Sequence, residues 1–248
     1  MDILYIIGKN KSQWYDRELR YSLRSIERFG RNVGRVFIVG FPPAYLNPKE
    51  VTTLRVDDPV DGVKHKNILA CIDAAVKNLP ISNDFLYSSD DHYYCKETDF
   101  DNYPIFCKGI LPKEGKTPYR KSLVETRELL ELCGLSVFNF SWHGNTHFYK
   151  DVWLSRDFQK LLEIQNKCTT QGVEPTCLML NYYNKRVKEL DFVTRADCKM
   201  FDFTQDEMNV KITADRECFS SDDGIENRTW LATYLKELFP TICKYERL

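Results

Sequence analysis

The first hundred residues alternate short apolar runs with stretches of helical periodicity, and this alternation constrains the fold most. The run Ile3–Ile7 ends at Gly8, and apolar residues then recur at helical spacing as far as Phe29. Strands separated by helices in this way predict a parallel, doubly wound sheet. The predicted strands are 3–7, 36–39, 52–56 and 84–88, and the predicted helices are 15–29 and 66–77. We therefore predict an α/β fold with a mostly parallel sheet flanked by helices.

The second half of the chain is less regular and predicts a mixture of helices and short strands. Helical patterns cover 118–134, 151–167, 175–184 and 226–239, and short extended runs cover 137–140, 147–148, 210–213 and 217–220. No repeat, low-complexity run or linker separates the halves. We therefore predict one domain over 1–248, made of a regular half, 1–107, and an irregular α+β half, 108–248.

Composition narrows the class of protein. The chain has 248 residues, 43% of them apolar and 29% charged, which is typical of a globular protein. Its net charge of −1 provides no global attraction to nucleic acid or to an anionic membrane. The first apolar run is too short for a signal peptide or a membrane span. The nine cysteines are scattered without a C-x-x-C pair, so we expect reduced thiols in a cytoplasmic protein.

Two adjacent carboxylates, Asp90 and Asp91, directly follow the fourth predicted strand and form the sharpest chemical signal. Ligands of such sheets bind at the carboxyl ends of the strands. Neighbouring like charges raise each other's pKa, and a divalent cation removes that cost. Hard oxygen ligands suit Mg²⁺ or Mn²⁺, which can also bridge substrate phosphates. A solvated turn is the structural alternative, and we favour the metal site.

Two further segments could add to this site. Two of the four histidines lie in Trp142–His147, and His147 is a candidate metal or phosphate ligand. A second acidic pair lies in Ser220–Gly224, where Asp223 is a candidate catalytic carboxylate. Each has a structural alternative: a polar loop with a hydrogen-bonded histidine, and an N-cap for the last helix.

Several polar residues near the predicted strand ends are candidates for binding a phosphorylated ligand. Glu18 and Arg24 lie on the first helix, although a solvated helix face is the commoner use of such charges. Cations at the start of the second helix could hold a diphosphate together with the helix N-terminus. The candidates are Gly8, Lys9, Asn10, Glu18, Arg24, Lys66, Asn67 and Asp90.

A basic stretch between residues 108 and 127 follows the aspartate pair. Its excess of lysine and arginine could contact an anionic acceptor. Few aromatic residues are interleaved, so the signal for nucleic acid is weak. The candidate acceptor-binding residues are Lys113, Lys116 and Lys121.

Several of these segments together resemble the Stealth family of capsular-polysaccharide phosphotransferases. Glu18–Ser25 matches that family's "ELRYSLRS" block, and Phe85–Asp91 is similar to its strand ending in an acidic pair. Leu235–Glu246 is similar to its C-terminal block, and His147 matches its histidine-containing block. The chain differs at Ser89, where the family has asparagine.

The resemblance implies a GT-A-like nucleotide-binding fold and a nucleotide-sugar donor, most simply a UDP-sugar. The first half would then bind the donor and the second half the acceptor. The nearest match to the family's acidic residue on the second helix is Asp73, which makes it a second candidate catalytic carboxylate. GT-A folds more often transfer the glycosyl group, so we expect a metal-dependent glycosyltransferase.

Two alternative functions stay open at the sequence level. A Stealth-like hexose-1-phosphate transferase would use the same donor site. A non-catalytic nucleotide-sugar or glycan-binding module would keep the pocket without a metal. For the acceptor we expect a carbohydrate first, with modified nucleic acid second.

Overall fold

A five-stranded, mostly parallel sheet forms the centre of the computed structural model, which describes residues 1–9, 14, 16–141, 145–187, 190–194, 218–221 and 229–247. The strands are β1 (Asp2–Ile7), β2 (Gly30–Arg31), β3 (Val36–Gly40), β4 (Val51–Arg55), β5 (Asp84–Ser88), β6 (His92–Tyr94), β7 (Thr98–Asp99), β8 (Phe106–Cys107), β9 (Thr146–Tyr149), β10 (Val193–Thr194) and β11 (Cys218–Ser220). The helices are α1 (Arg17–Phe29), α2 (Lys64–Asn78), α3 (Pro118–Leu132), α4 (Lys150–Trp153), α5 (Arg156–Cys168), α6 (Pro175–Val187) and α7 (Thr229–Leu238).

The central sheet has the order β4–β3–β1–β5–β9. The first four strands are parallel, and β9 pairs antiparallel with β5. Strand β1 is buried on both faces, as expected for a central parallel strand that is apolar throughout. The predicted α/β class with a mostly parallel sheet is confirmed.

Helices cover both faces of this sheet because alternate side chains of each strand point in opposite directions. Leu4 of β1 belongs to one core with α2, α3, α5 and α6. Ile3 and Tyr5 belong to a second core with α1 and the C-terminal residues. A third cluster joins α1 and α7 through Tyr21 and Leu235.

The structure divides one predicted helix into two, and one predicted extended run lies outside the described residues. The helix predicted over 151–167 is two helices, because Ser155 interrupts it and its hydroxyl caps α5 by accepting from the Phe158 N–H. The extended run predicted over 210–213 lies outside the described residues. Within the described ranges, no helix is long and apolar enough to cross a lipid bilayer.

Candidate active site

The carboxyl ends of β1 and β5 meet at one edge of the sheet. Gly8 and Lys9 leave β1 there and are exposed, and Asp90 and Asp91 leave β5. Gly40 ends β3 beside them with φ +103°, and a Cβ on it would lie 2.2 Å from the Ile7 carbonyl oxygen. Glycine therefore lets β3 end tightly against β1 at this edge.

A pair of antiparallel strands brings a later part of the chain back to the aspartates. Strand β11 pairs antiparallel with β6, which begins directly after Asp91. The Ser221 N–H donates to the Asp91 carbonyl oxygen at 3.0 Å, and the Ser221 and Tyr93 hydroxyls lie 3.0 Å apart. Asp223, two residues further on, lies outside the described residues, so its catalytic role stays a prediction.

Glu18 joins the aspartate pair in an acidic cluster. It is buried in the first turn of α1, and Asp90 and Asp91 are half-buried. Burial raises the pKa of the Tyr93 hydroxyl, and the charges of Asp91, Glu18 and Asp90 raise it further. The structure therefore brings the predicted Glu18 to the predicted metal-binding pair.

The aspartate pair fits a magnesium or manganese ion whose other ligands are water and substrate phosphate oxygens. That ion needs only one or two carboxylates from the protein. Within the described ranges, no group of three or more His, Cys, Asp or Glu side chains is placed to hold a metal ion, so the protein would supply only the aspartate pair. The donor set therefore suits a hard ion shared with a phosphorylated ligand better than a structural zinc ion.

Glu174 is a buried carboxylate at this site that the sequence analysis missed. It precedes α6, and its Oε2 accepts from the Cys177 N–H at 2.8 Å. Burial raises the pKa of Glu174. Burial likewise raises the pKa of Tyr87, and the charges of Glu174, Asp90 and Asp91 raise it further. Glu174 thus faces the same strand end, and its position before Pro175 at a helix start was the available signal.

Asn145 is the second residue that the sequence analysis did not single out. It directly precedes β9, whose first residue, Thr146, pairs with Tyr87 of β5. Its side chain is 1% exposed, and within the described residues neither Oδ1 nor Nδ2 has a hydrogen-bond partner. Because a buried amide without partners is costly, a ligand at this edge is the natural partner.

His147 was predicted as a metal or phosphate ligand, but both of its ring nitrogens have protein partners. Nδ1 lies 3.0 Å from Asp84 Oδ1, and Nε2 lies 2.7 Å from the Tyr103 carbonyl oxygen. Asp84 begins β5, so this histidine faces the end of the strand opposite the aspartate pair. We do not retain His147 in the proposed metal site.

Asp73 was a candidate catalytic carboxylate, and the structure places it in helix packing. Its Oδ1 accepts from the Trp153 indole N–H at 3.1 Å, and its Oδ2 forms an ion pair with Lys77 at 2.7 Å. These contacts join α2 to α4 and occupy both carboxylate oxygens. We do not retain Asp73 as a base.

Three of the predicted donor-binding residues also have structural partners. Arg24 forms a bidentate ion pair with Glu246, with distances of 2.6 and 3.0 Å. The Lys66 ammonium donates to the Asn166 carbonyl oxygen at 3.3 Å. The Asn67 amide donates to and accepts from the backbone of Val60. Arg24 thus holds the C-terminal segment, Lys66 joins α2 to α5, and Asn67 holds the loop before α2, so we do not retain them in the proposed donor site.

The remaining predicted site residues are one donor-binding asparagine and three acceptor-binding lysines. Asn10 lies outside the described residues, so its role stays a prediction. The three predicted acceptor-binding lysines are exposed around the start of α3. The middle of α3 contacts the segment that carries Glu174, because Thr126 Oγ1 accepts from the Glu174 N–H at 2.8 Å.

Comparison with solved structures identifies the fold. The chain is similar to an active-site mutant of LgtC with a TM-score of 0.50 and 12% identity, covering 98% of each chain. A galactosyltransferase LgtC complex with donor and acceptor sugar analogues gives a TM-score of 0.44 and 14% identity over 73% of this chain and 69% of that one. Mouse xyloside xylosyltransferase 1 gives a TM-score of 0.43 and 12% identity over 89% of this chain and 97% of that one.

The sequence comparisons gave no match. No protein-family model and no curated protein matches this sequence. The likeness to the LgtC mutant, with its TM-score of 0.50, shows a GT-A-type fold, while the Stealth resemblance is not confirmed.

Proposed function

We propose that this protein is a metal-dependent glycosyltransferase that uses a nucleotide-diphosphate-sugar, most simply a UDP-sugar. The observation that carries this proposal is the acidic cluster of Asp90, Asp91 and Glu18 at the carboxyl edge of a GT-A-type sheet. Ligands of open α/β sheets bind at this edge. Acidic groups there need a cation before they can tolerate an anionic diphosphate.

Asp90 and Asp91 would hold Mg²⁺ or Mn²⁺. A bound ion of this kind neutralises the negative charge that develops on the leaving diphosphate. Glu18 is the candidate to accept a hydrogen bond from a ribose hydroxyl or from an N–H of the base, because it is buried at the start of α1 beside the pair. The exposed Gly8 and Lys9 would lie against the nucleotide, and within the described residues a Cβ on Gly8 would meet nothing within 4 Å.

Asn145 and Glu174 would bind the hydroxyl groups of the donor sugar. The amide of Asn145, which has no hydrogen-bond partner within the described residues, offers both a donor and an acceptor, as a pair of sugar hydroxyls requires. Glu174 offers a carboxyl group across the same strand end, where burial raises its pKa. Together they would fix the sugar beside the aspartate pair, with the acceptor reaching it from the α3 side.

The identity of the released nucleotide tests this proposal against its nearest alternatives. Purified protein is incubated with UDP-sugars and either Mn²⁺ or a chelator, and the products are identified by mass. Release of UDP that requires the metal supports glycosyl transfer. Release of UMP would instead indicate sugar-phosphate transfer. No turnover with any donor, together with metal-independent binding, would indicate a binding module and overturn the enzymatic proposal.

A further inference from the structure

The C-terminal segment 243–247 is bound along the loop that follows β3. Leu46 and Glu246 form an antiparallel bridge. The Asn47 N–H donates to the Tyr245 carbonyl oxygen, and the Arg247 N–H donates to the Tyr45 carbonyl oxygen, both at 2.8 Å. Two parts of the chain far apart in sequence are thereby held as one unit beside α1.

Glu246 is the charged centre of this unit. It is 5% exposed and accepts two hydrogen bonds from Arg24, and Arg20 Nη1 lies 3.4 Å from its Oε2. Arg24 also donates to the Phe239 carbonyl oxygen at 2.9 Å. A buried carboxylate with this arrangement is costly to neutralise, because both arginines would lose their partner.

A chain of contacts runs from Glu246 to the start of α1. The Arg20 guanidinium lies 4.0 Å from the centroid of the Tyr45 ring. The Tyr45 hydroxyl donates to the Asp16 carbonyl oxygen at 2.7 Å. Asp16 directly precedes α1, is buried, and has φ +58°. This left-handed conformation is unfavourable for a residue other than glycine, so neighbouring contacts must hold it.

This chain of contacts ends at the proposed nucleotide site. Asp16 closes the connection that begins with Gly8 and Lys9 at the end of β1, and Glu18 follows it in the first turn of α1. The charge of Asp90 contributes to raising the pKa of Tyr45, after the larger effect of burial. Tyr45 therefore lies between the C-terminal segment and Asp16 at the start of α1.

We infer that Glu246 is a positioning residue for nucleotide binding: through Arg20 and Tyr45 it fixes Asp16 and the start of α1, whose Glu18 the proposed function places against the nucleotide. The inference rests on the proposed function. It assigns the C-terminal segment an indirect role in donor affinity.

The substitution Tyr45→Phe tests the inference because it removes one hydroxyl and keeps the ring under Arg20. Loss of a single neutral hydrogen bond that orders the site predicts a UDP Kd in the presence of Mn²⁺ that is about 3- to 10-fold weaker. The donor KM should rise by a similar factor with kcat nearly unchanged. Glu246→Gln should weaken binding at least as much.

Arg28→Ala is the matched control. Arg28 also joins α1 to the C-terminal region, by donating to the Leu238 carbonyl oxygen, but it does not contact Tyr45. This variant should lose some thermal stability and keep the wild-type UDP affinity. If Tyr45→Phe binds UDP as the wild type does, or if Arg28→Ala weakens binding equally, the positioning role is refuted.

Hydrogen exchange without nucleotide separates this inference from the proposed function. Amides at the start of α1, residues 16–21, should exchange faster in Tyr45→Phe than in the wild type or Arg28→Ala. If the wild type binds no nucleotide, the proposed function fails, whereas unchanged exchange in Tyr45→Phe overturns the positioning chain itself.

Discussion

The substitution Asn145→Leu should stabilise the protein while weakening its affinity for the donor. Within the described residues, the buried amide of Asn145 has no hydrogen-bond partner, and Leu has a similar branched shape without polar atoms. An unmet buried polar group costs about 1–3 kcal/mol, and ordered water recovers part of that cost. We therefore expect the free energy of unfolding to rise by about 1 kcal/mol.

Thermal unfolding and donor binding measure the two halves of this prediction. For a protein of this size, about 1 kcal/mol corresponds to a rise in Tm of about 2–4 °C. Two missing hydrogen bonds to the sugar should weaken the donor Kd by about 10-fold or more. Asn145→Ala should weaken donor binding equally, which excludes a simple clash with the larger Leu side chain.

Asn181→Leu is the control for a buried asparagine whose partners are all present. Its amide is hydrogen-bonded to Ser136, to the backbone N–H and carbonyl of Phe138, and to the Cys177 carbonyl. Its loss should destabilise the protein by about 3 kcal/mol or more and leave the donor affinity of the folded fraction unchanged. If Asn145→Leu instead destabilises like Asn181→Leu and binds donor normally, the assignment of Asn145 to the ligand is refuted.

Three further changes test Glu174, the ion pair of His147, and the exposed lysines around the start of α3. Glu174→Gln keeps an acceptor for the helix start but removes the charge, so kcat/KM should fall about 10-fold or more with Tm little changed; an unchanged kcat/KM would remove Glu174 from the site. Burial favours neutral His147, but the hydrogen bond and charge of Asp84 outweigh it and raise the pKa of His147. The stability that His147 adds relative to His147→Gln should therefore be complete below about pH 6.5 and decline as pH rises through the raised pKa; denaturant unfolding across that range checks the sign, and a constant difference would contradict it. A variant with three lysines replaced by alanine should bind an acidic oligosaccharide or duplex DNA more weakly than the wild type. For DNA, the log–log slope of affinity against salt should become shallower by about 0.9 for each phosphate that the variant no longer neutralises. An unchanged slope would show that these lysines are only solvated surface. The residues replaced are Lys113, Lys116 and Lys121.

The centre of the sheet was predictable from the sequence because β1 and β3 are buried on both faces and appear as apolar runs. Ile3–Ile7 and the run before Asp90 fall where the structure places β1 and β5. The antiparallel direction of β9 was not predictable, because a four-residue strand carries no signal for its orientation. It is this pairing that brings Asn145 to the site.

The site was predictable only in part, for a similar reason. Asp90 and Asp91 lie next to a strand end, so local sequence was enough to place them. Glu174 reaches the same edge through the packing of α6, which depends on contacts distant in sequence. Arg24 and Asp73 had sequence positions that predicted a functional role equally well. Only the fold shows that they pair with Glu246 and Trp153 instead.

The metal dependence of nucleotide binding in the wild type and in Asp91→Asn tests the proposed metal site most directly. Calorimetry would measure the UDP Kd with Mn²⁺ and with a chelator, and circular dichroism would confirm that the variant is folded. We predict that Mn²⁺ tightens UDP binding to the wild type by about 10-fold or more and has no such effect on Asp91→Asn. Equal affinity with Mn²⁺ and with chelator in the wild type would contradict the account.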